Sequence, residues 1–449
     1  MVQSKPSESW GGLDSLNSTS GQLYEQIRHV LDSADLPHLE RLALAARRRA
    51  DAHLDQTVAC SIDPSVFSYG FNSVVFEVAF SDGVYWVAKV QHAPLDDDDV
   101  VYALSEIATV RLVRERTTIP VPRVFGHQMR PSGGEGEFGF PFILMEFMPG
   151  RDVGGPLARD VPVEFLSKVA GQLADVLSQL ESRLSFPSIG ILWCGDDCDA
   201  PPEIIPLPSK DYDGSLDNSS SPQTSLEWFY NQRQEENEEV MQNHPDDPEW
   251  NTACWVLKDA LSHIIAGDRV RGPFPLCHMD FHHGNLLFDE EFNLTGVIDW
   301  SMAQTVPLER LAVSPEFIAG PFFPQEHKDG VARLLGFMRE SLRDMQQDSR
   351  SGGVTGGHDR ANPKRRCGRD ADEEVEEDDA GGDGAGLHGA EQTTLADIFG
   401  TVQAEIANRC ALSNPRVALP YGRAVQELVY GQHVSWEQMV LAFGEKKLH

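Results

Sequence analysis

The run of nine residues from Cys277 to Asn285 constrains the fold of this chain more than any other segment. It reads Cys-His-Met-Asp-Phe-His-His-Gly-Asn, which sets Asp280 and Asn285 in the pattern H-x-D-x-x-x-x-N, with Asp299 a short way downstream. A cation that bridges phosphate oxygens needs hard oxygen ligands, and a separate carboxylate must orient the attacking hydroxyl. Two carboxylates and one amide at this spacing therefore predict a site for phosphoryl transfer from Mg-ATP.

The segment that follows this run predicts a β-hairpin. Residues 286–288 and 294–298 are short apolar stretches, and the turn-forming residues 289–293 separate them. Apolar stretches of this length around such a turn are typical of two paired strands. The hairpin would carry Asn285, at the start of one strand, back beside Asp299 at the end of the other.

The polar residues of the motif take different expected roles. Asn285 and Asp299 would hold a magnesium ion that bridges ATP phosphate oxygens. Asp280 lies on the preceding loop and would face the phosphoryl acceptor. His278 is expected to pack or to hydrogen-bond within the loop.

The motif resembles that of the aminoglycoside phosphotransferase-like family, which shares the protein-kinase fold and includes kinases of choline, homoserine and other small metabolites. The resemblance covers roughly residues 65 to 320. It implies an α+β fold of two lobes, with an antiparallel sheet and one helix in the small N-lobe and a larger, mainly helical C-lobe. We expect an N-terminal helical extension at residues 1–60, the nucleotide-binding N-lobe at 61–148 and the catalytic and substrate-binding C-lobe at 149–346. A disordered acidic and glycine-rich insertion is expected at 347–392, and a C-terminal helical part of the C-lobe at 393–449.

Upstream segments resemble the family's nucleotide site. Residues 67–78 and 83–90 look like the nucleotide-loop hairpin and the strand that bears the phosphate-binding lysine, which here is Lys89. Glu106, in a helix-like segment, falls where the family places the carboxylate that orients this lysine. The resemblance also implies nucleotide contacts from the loop and from the hinge whose backbone holds adenine, at Gly70, Asn72, Ser73, Glu146 and Met148.

Two departures from kinase motifs bear on the resemblance. Gly70 is not part of a full G-x-G-x-x-G, so fewer loop positions allow the close backbone approach that glycine gives to phosphates. Asp299 is followed by Trp300 and Ser301 rather than by Phe-Gly, and no A-P-E signature follows. The second departure argues against a regulated protein kinase and favours the small-molecule branch.

The same run contains the ligand types of a transition-metal site, because cysteine and histidine bind zinc well. The candidate ligands are Cys277, His278, His282 and His283, beside Asp280. Structural zinc sites usually pair two ligand modules, and the only other close cysteine pair, Cys194 and Cys198, has three residues between its members. Zinc is therefore the weaker interpretation. Seven scattered cysteines and no apolar signal segment predict reduced intracellular thiols.

Charge and hydropathy exclude several classes of partner. The formal net charge of −33 disfavours extended contact with nucleic acid, because phosphate neutralisation needs clustered lysine and arginine. No apolar run is long enough to span a bilayer, which predicts a cytoplasmic protein without a membrane partner. Residues 370–383 hold nine acidic residues and no basic one, and this composition predicts disorder in the tract 347–392.

The sequence thus predicts an ATP- and Mg-dependent phosphotransferase that acts on a hydroxyl of a small molecule. The acidic balance favours a cationic acceptor, although acidic surfaces more often serve only solubility. A competing hypothesis is a kinase-like binding or scaffold protein that has lost the reaction, and the weakened glycine loop supports it. The sequence decides neither the acceptor nor the oligomeric state. The residues of the helical lobe that would either line an acceptor pocket or face solvent are Glu227, Trp228, Glu309 and Glu316.

Overall fold

The first lobe is built on an antiparallel sheet of six strands. The structure, a computed structural model, describes residues 5–8, 10–16, 20–131, 138–195, 198, 200–208, 221–320, 323–352 and 392–446. The strands of this sheet are β1 Cys60–Ser61, β2 Phe67–Tyr69, β3 Ser73–Phe80, β4 Tyr85–Gln91, β5 Val124–Gln128 and β6 Phe142–Glu146. Five of the strands follow the order β1-β3-β4-β6-β5, and the sixth, β2, also pairs with β3.

The two faces of this sheet have different environments. Successive side chains of a strand point to opposite faces, and in β4 the residues Trp86, Ala88 and Val90 are buried on one face. Lys89 lies on the other face, among half-buried neighbours. The alternation in the sequence therefore separates an apolar core face from a face that carries the charged lysine.

Two N-terminal helices cover the apolar face of the sheet. They are α1 Gln22–Ser33 and α2 Leu36–Ala50, and their buried residues, including Val30 and Leu39, form one hydrophobic cluster with the inward side chains of β3 and β4. Arg47 of α2 also pairs with Asp82 in the turn between these strands, at 2.7 Å. Residues 22–33 and 36–50, which fall in the region predicted as an N-terminal extension, form two helices that share the core of the N-lobe.

Helix α3, Asp97–Arg116, completes this lobe and brings Glu106 to the face that carries Lys89. Asp96 caps the helix by accepting a hydrogen bond from the backbone N–H of Asp99 at 2.8 Å. Aspartates occupy its first turn and arginines its last, which suits the partial charges at the two ends of a helix. The segment predicted from sequence to be helical around Glu106 is confirmed.

The second lobe is mainly helical. Its helices are α4 Leu157–Asp160, α5 Leu166–Arg183, α6 Ser225–Asn243, α7 Pro248–Asp259, α8 Gln325–Gly352, α9 Leu395–Ile398, α10 Val402–Ala411, α11 Ala418–Tyr430 and α12 Trp436–Phe443. Helix α5 packs along α8, and α7 packs along α11. The apolar residues of α5 recur at three- and four-residue steps and are buried, so this helix stabilises the centre of the lobe.

Short strands in this lobe position the catalytic motif. They are β7 Ser185–Phe186, β8 Ile191–Trp193, β9 Glu203–Ile205, β10 Phe274–Cys277, β11 Leu286–Phe288, β12 Leu294–Val297 and β13 Gln304–Thr305. The fully buried β10 pairs with β7 and β13, and β11 pairs with β12. Asp289 closes the turn between β11 and β12 by accepting from the backbone N–H groups of Glu291 and Asn293. The predicted hairpin is confirmed.

These elements confirm the predicted α+β fold of two lobes. Helix α8 continues to Gly352, past the start of the tract 347–392 for which the sequence predicted disorder, and residues 353–391 lie outside the described residues. None of the helices that the structure describes combines the length and the apolar character needed to cross a bilayer.

The packing of α2 predicts that the N-terminal helices contribute to stability. Leu39 is fully buried in the cluster of α1, α2 and the sheet, and Leu39→Ala should lower the free energy of unfolding by about 2–5 kcal/mol. The matched control is Leu441→Ala, because Leu441 lies on α12 with 89% of its surface exposed, and its loss should cost less than about 0.5 kcal/mol. Urea unfolding of both variants measures this. Equal effects would contradict a shared core.

Candidate active site

Lys89 connects three elements from the two lobes. Its Nζ donates to both carboxylate oxygens of Glu106, each at 3.0 Å, and to Oδ1 of Asp299 at 2.8 Å. Lys89 belongs to β4, Glu106 to α3, and Asp299 follows β12. The structure therefore brings together the lysine and glutamate paired from sequence, and it adds a direct contact between this lysine and Asp299.

Burial and ion pairing act in opposite directions on this cluster. Burial works against the charged ammonium, but the two carboxylates outweigh burial and raise the pKa of Lys89. Burial also opposes the ionised form of Asp299, yet Lys89 and the hydroxyl of Ser301 lower the pKa of Asp299 to about 2. Burial raises the pKa of Glu106, which Lys89 offsets only in part. Lys89 and Asp299 are thus both charged at neutral pH.

The hairpin brings the backbone of Asn285 next to the residue that precedes Asp299. Leu286 pairs with Val297, and the backbone N–H of Ile298 donates to the carbonyl of Asn285 at 3.0 Å. Asp299 then adopts a left-handed backbone conformation, with φ of 59°. Aspartate tolerates this region better than most residues, because its short polar side chain hydrogen-bonds locally. The backbone therefore turns sharply where the carboxylate must reach Lys89.

Asp280 lies on the loop between β10 and β11, with 60% of its side chain exposed. Its Oδ2 accepts hydrogen bonds from Nδ2 of Asn285 at 3.1 Å and from Nε2 of His282 at 3.2 Å. The bond from His282, and to a lesser extent the one from Asn285, lowers the pKa of Asp280 against the effect of its burial. An exposed, ionised carboxylate is the form that can accept a proton from a substrate hydroxyl.

The C-lobe holds the backbone of this loop in place. Arg310 donates to the carbonyl of Met279 at 3.1 Å, and the hydroxyl of Ser314 donates to the carbonyl of Phe281 at 2.5 Å. The buried carboxylate of Glu316 accepts the backbone N–H of His283 at 3.1 Å. Buried polar groups of the segment after β13 thus fix the conformation of the catalytic loop.

Two side-chain oxygens are left for a divalent cation. Asn285 uses its amide nitrogen on Asp280, and Asp299 uses Oδ1 to accept from Lys89 and from Ser301. Among the described residues, none donates to Oδ1 of Asn285 or to Oδ2 of Asp299. Hard oxygens of this type suit magnesium, which usually takes one or two protein ligands together with phosphate and water. The donor set therefore fits the predicted ion.

The predicted nucleotide-loop residues form the turn between β2 and β3. The backbone N–H of Gly70 donates to the carbonyl of Ser73 at 2.8 Å, and the carbonyl of Asn72 accepts the N–H of His92 at 3.0 Å. Ser73 is buried, whereas Asn72 is exposed and Phe71 is 88% exposed at the tip. The loop therefore has a defined turn, and its tip is open to solvent.

The two predicted hinge residues, Glu146 and Met148, contact different parts of the protein. The carboxylate of Glu146, at the end of β6, accepts from Arg114 at 3.2 Å and from the backbone N–H of Arg123 at 3.0 Å. Both bonds go to Oε2, and the backbone N–H of Glu146 donates to the carbonyl of Arg123 at 2.8 Å. Met148 packs on the hairpin, because its Cβ lies 3.1 Å from the place that a Cβ on Gly296 would occupy.

The cysteine and histidines of the catalytic run have separate partners. Cys277 is buried, and the Nε2–H of His278 donates to the carbonyl of Ile298 at 2.9 Å. His278 is thus packed in the interior, as the sequence allowed, but its hydrogen bond goes to the end of the hairpin and not to the catalytic loop. Burial lowers the pKa of His278, so its ring is neutral. His282 bonds to Asp280, and His283 bonds to Glu316 at 2.6 Å. In the part of the chain that is described, no three His, Cys, Asp or Glu side chains are grouped for a metal.

The four acceptor candidates have structural roles. Glu227 caps α6 by accepting from the backbone N–H groups of Gln223 and Thr224, and Trp228 and Glu309 are buried. Glu316 lies beneath the catalytic loop and also accepts from the N–H of Leu157 at 2.7 Å. The sequence pointed to His282 only as a candidate zinc ligand, and the bond of its ring to Asp280 was not predicted. The signal in the sequence was its position two residues after Asp280.

The depressed pKa of Asp299 predicts a pH-dependent contribution to stability. Because its folded-state pKa lies below the ordinary value, ionised Asp299 stabilises the fold above about pH 5, and this stabilisation is lost as pH falls toward 2. The difference in unfolding free energy between the wild type and Asp299→Asn should shrink from pH 6 to pH 3. Urea titrations at each pH measure it. The control is Asp344→Asn, which removes a carboxylate from the exposed side of α8.

Several solved structures of phosphotransferases are similar to this chain. A protein of Ralstonia eutropha described as an aminoglycoside phosphotransferase has 13% identity and a TM-score of 0.44, covering 86% of this chain and 98% of its own. The macrolide 2'-phosphotransferase of Brachybacterium faecium has 14% identity and a TM-score of 0.42, covering 92% and 99%. Aminoglycoside phosphotransferase APH(2'')-Ib, solved with ADP bound, has 15% identity and a TM-score of 0.39, covering 73% and 93%.

The assignment to a family rests on sequence. No curated protein matches the chain. The model of the phosphotransferase enzyme family matches residues 65–342, which is more than half of the chain and includes Lys89, Glu106, Asp280, Asn285 and Asp299. This chain therefore belongs to the phosphotransferase enzyme family.

Proposed function

We propose that this protein is an ATP- and Mg-dependent phosphotransferase that moves the γ-phosphate to a hydroxyl of a small molecule. The observation that carries the proposal is the position of Lys89, which bonds at once to Glu106 of the N-lobe and to Asp299 of the C-lobe. Phosphoryl transfer depends mainly on positioning and on electrostatic stabilisation, and a lysine fixed by two carboxylates is suited to both.

The N-lobe residues would bind the nucleotide. Lys89 stays charged and is fixed by Glu106, so it presents a cation to the ATP phosphates. The turn at Gly70, Asn72 and Ser73 lies at the end of the strands on either side and would contribute loop contacts. The backbone around Glu146 and Met148 would hold adenine, as the resemblance to the family implies for this segment at the end of β6.

The C-lobe residues would hold the ion and orient the acceptor. Oδ1 of Asn285 and Oδ2 of Asp299 are the oxygens left for magnesium, which when bound neutralises charge on the phosphate oxygens. Asp280 presents an exposed carboxylate beside them and would accept the proton of the substrate hydroxyl. The hydrogen bond from Asn285 to Asp280 couples the two roles in one rigid loop.

The acceptor would be small and polar, and a cation suits it best. Asp280 and Asp299 face the site as carboxylates in a chain of net charge −33, so a positively charged acceptor would meet a favourable field. All the cysteines of the described residues are free thiols, which fits work in the reducing cytoplasm, where ATP is available.

Replacing the carboxylate of Asp280 should separate binding from chemistry. Asp280→Asn removes the proton acceptor while keeping the size of the side chain, so turnover should fall about 100- to 10,000-fold, whereas ATP affinity should change little. ADP release with Mg-ATP and a panel of amino alcohols, sugars and aminoglycosides measures turnover. Calorimetry measures affinity.

Asp344→Asn is the matched control for this experiment, because Asp344 is an exposed aspartate on α8, and its turnover should stay within about twofold of the wild type. A wild type that binds Mg-ATP yet phosphorylates no acceptor would favour the scaffold hypothesis. An Asp280→Asn variant with near-full turnover would remove Asp280 from the role of base.

The proposed metal role of Asp299 predicts a loss of magnesium-dependent binding. Asp299→Ala should weaken the affinity for Mg-ATP at least about tenfold and should leave the affinity for ATP in EDTA within about threefold of the wild type. Calorimetry with magnesium and with EDTA compares the two. Ser301→Ala removes only a hydrogen bond to Asp299 and should have a smaller effect. Equal Mg-ATP affinity in Asp299→Ala and the wild type would refute the assignment.

A further inference from the structure

His282 makes two hydrogen bonds that fix both the orientation and the tautomer of its ring. It stands just before the 3-10 turn His283–Asn285, and its Nδ1 accepts the backbone N–H of Gly284 at 3.0 Å. A nitrogen that accepts a hydrogen bond carries no proton, so the proton of the neutral ring is on Nε2. That N–H donates to Oδ2 of Asp280 at 3.2 Å.

Gly284 is required for this arrangement. A Cβ added at position 284 would lie 2.9 Å from Cε1 and 3.2 Å from Nδ1 of His282. Any other residue would therefore push the ring away from the position in which it reaches Asp280. The sequence His-His-Gly-Asn thus encodes a cap in which backbone, ring and carboxylate fit together.

The consequence is at the carboxylate of Asp280. His282 and Asn285 both donate to Oδ2, and among the described residues no donor bonds to Oδ1. Two donors on one oxygen restrict rotation of the carboxylate and leave the lone pairs of Oδ1 for another partner. The side chain is exposed, so this partner can come from solvent or from a substrate.

We infer that His282 is a positioning residue, whose Nε2–H holds Asp280 so that Oδ1 faces the hydroxyl of the acceptor. The inference rests on the proposed phosphotransferase function. Misplacement of a reacting group by about 1 Å can cost on the order of 100-fold in rate. A bond that fixes the carboxylate before the acceptor arrives therefore acts on turnover and not on nucleotide affinity.

Two variants separate this role from a structural role in the turn. His282→Asn keeps an acceptor for the N–H of Gly284, because asparagine caps such turns well, but its side chain is too short to reach Asp280. His282→Gln is long enough to donate to Asp280 and lacks the ring that accepts from Gly284. A positioning role predicts that kcat falls about 10- to 100-fold in His282→Asn, with the KM for ATP within about threefold, and that His282→Gln retains more activity.

The opposite order of activity would overturn the inference, because it would show that the turn and not Asp280 needs His282. The histidine one position along gives the local control. His283→Gln alters a ring that bonds to Glu316 and leaves both bonds to Asp280 in place, so its kcat should exceed that of His282→Asn. Thermal unfolding of each variant shows whether a loss of activity reflects a loss of folded protein.

A readout that does not depend on activity is the tautomer itself. Nitrogen-15 spectra of histidine-labelled wild type, assigned with His282→Asn, should show His282 protonated at Nε2 and not at Nδ1. A proton at Nδ1 would overturn the inference. An inactive wild type with the Nε2–H tautomer would count against phosphotransfer, whereas an active wild type matched in kcat by His282→Asn would count against the positioning role.

Discussion

The site depends on one interaction, the bonding of Lys89 to two carboxylates from different lobes. Glu106 reaches it from a helix and Asp299 from the end of a hairpin, so the lysine fixes the relative position of three elements. Burying a cation is costly unless it is paired and hydrogen-bonded, and here both conditions are met. Removal of one carboxylate would leave Lys89 with a single anionic partner and would break the bond to one of the two lobes. The same residues that would bind phosphate therefore also connect the two lobes.

The hairpin β11–β12 is the rigid support on which the C-lobe half of the site depends. Asn285 precedes it and Asp299 follows it, and the hinge segment lies directly on its surface. Gly150 and Gly296 permit this close approach, since a Cβ at either position would meet atoms of the opposite segment at 3.1 Å or less. A change of side chain at these glycines would separate the hinge from the hairpin. Under the proposed function, nucleotide binding and metal binding would thus be linked through backbone packing.

Sequence predicted the parts of this structure that are local in the chain. The turn residues between two apolar stretches predicted the hairpin, and a helix-like run of residues predicted the helix around Glu106. Both elements are present in the structure. The resemblance to a family paired Lys89 with Glu106, which no local rule would do. The contact of Lys89 with Asp299, by contrast, joins residues far apart in the chain, and only the packing of the lobes creates it. Sequence also had no means to place α1 and α2, because an amphipathic helix does not reveal which apolar face it covers.

The charges of the site explain why a nucleotide would need its cation here. Lys89 is outweighed by Glu106 and Asp299, Asp280 adds a further carboxylate nearby, and the chain as a whole is strongly acidic. A free polyphosphate would therefore enter an unfavourable field, and the single lysine cannot reverse it. A divalent ion held by Asn285 and Asp299 would change the sign of the local charge at the point where phosphate oxygens must lie. The weak glycine loop then matters less, because most of the phosphate binding energy would come from the ion, held at the ends of the hairpin, and from Lys89, which bonds to Asp299.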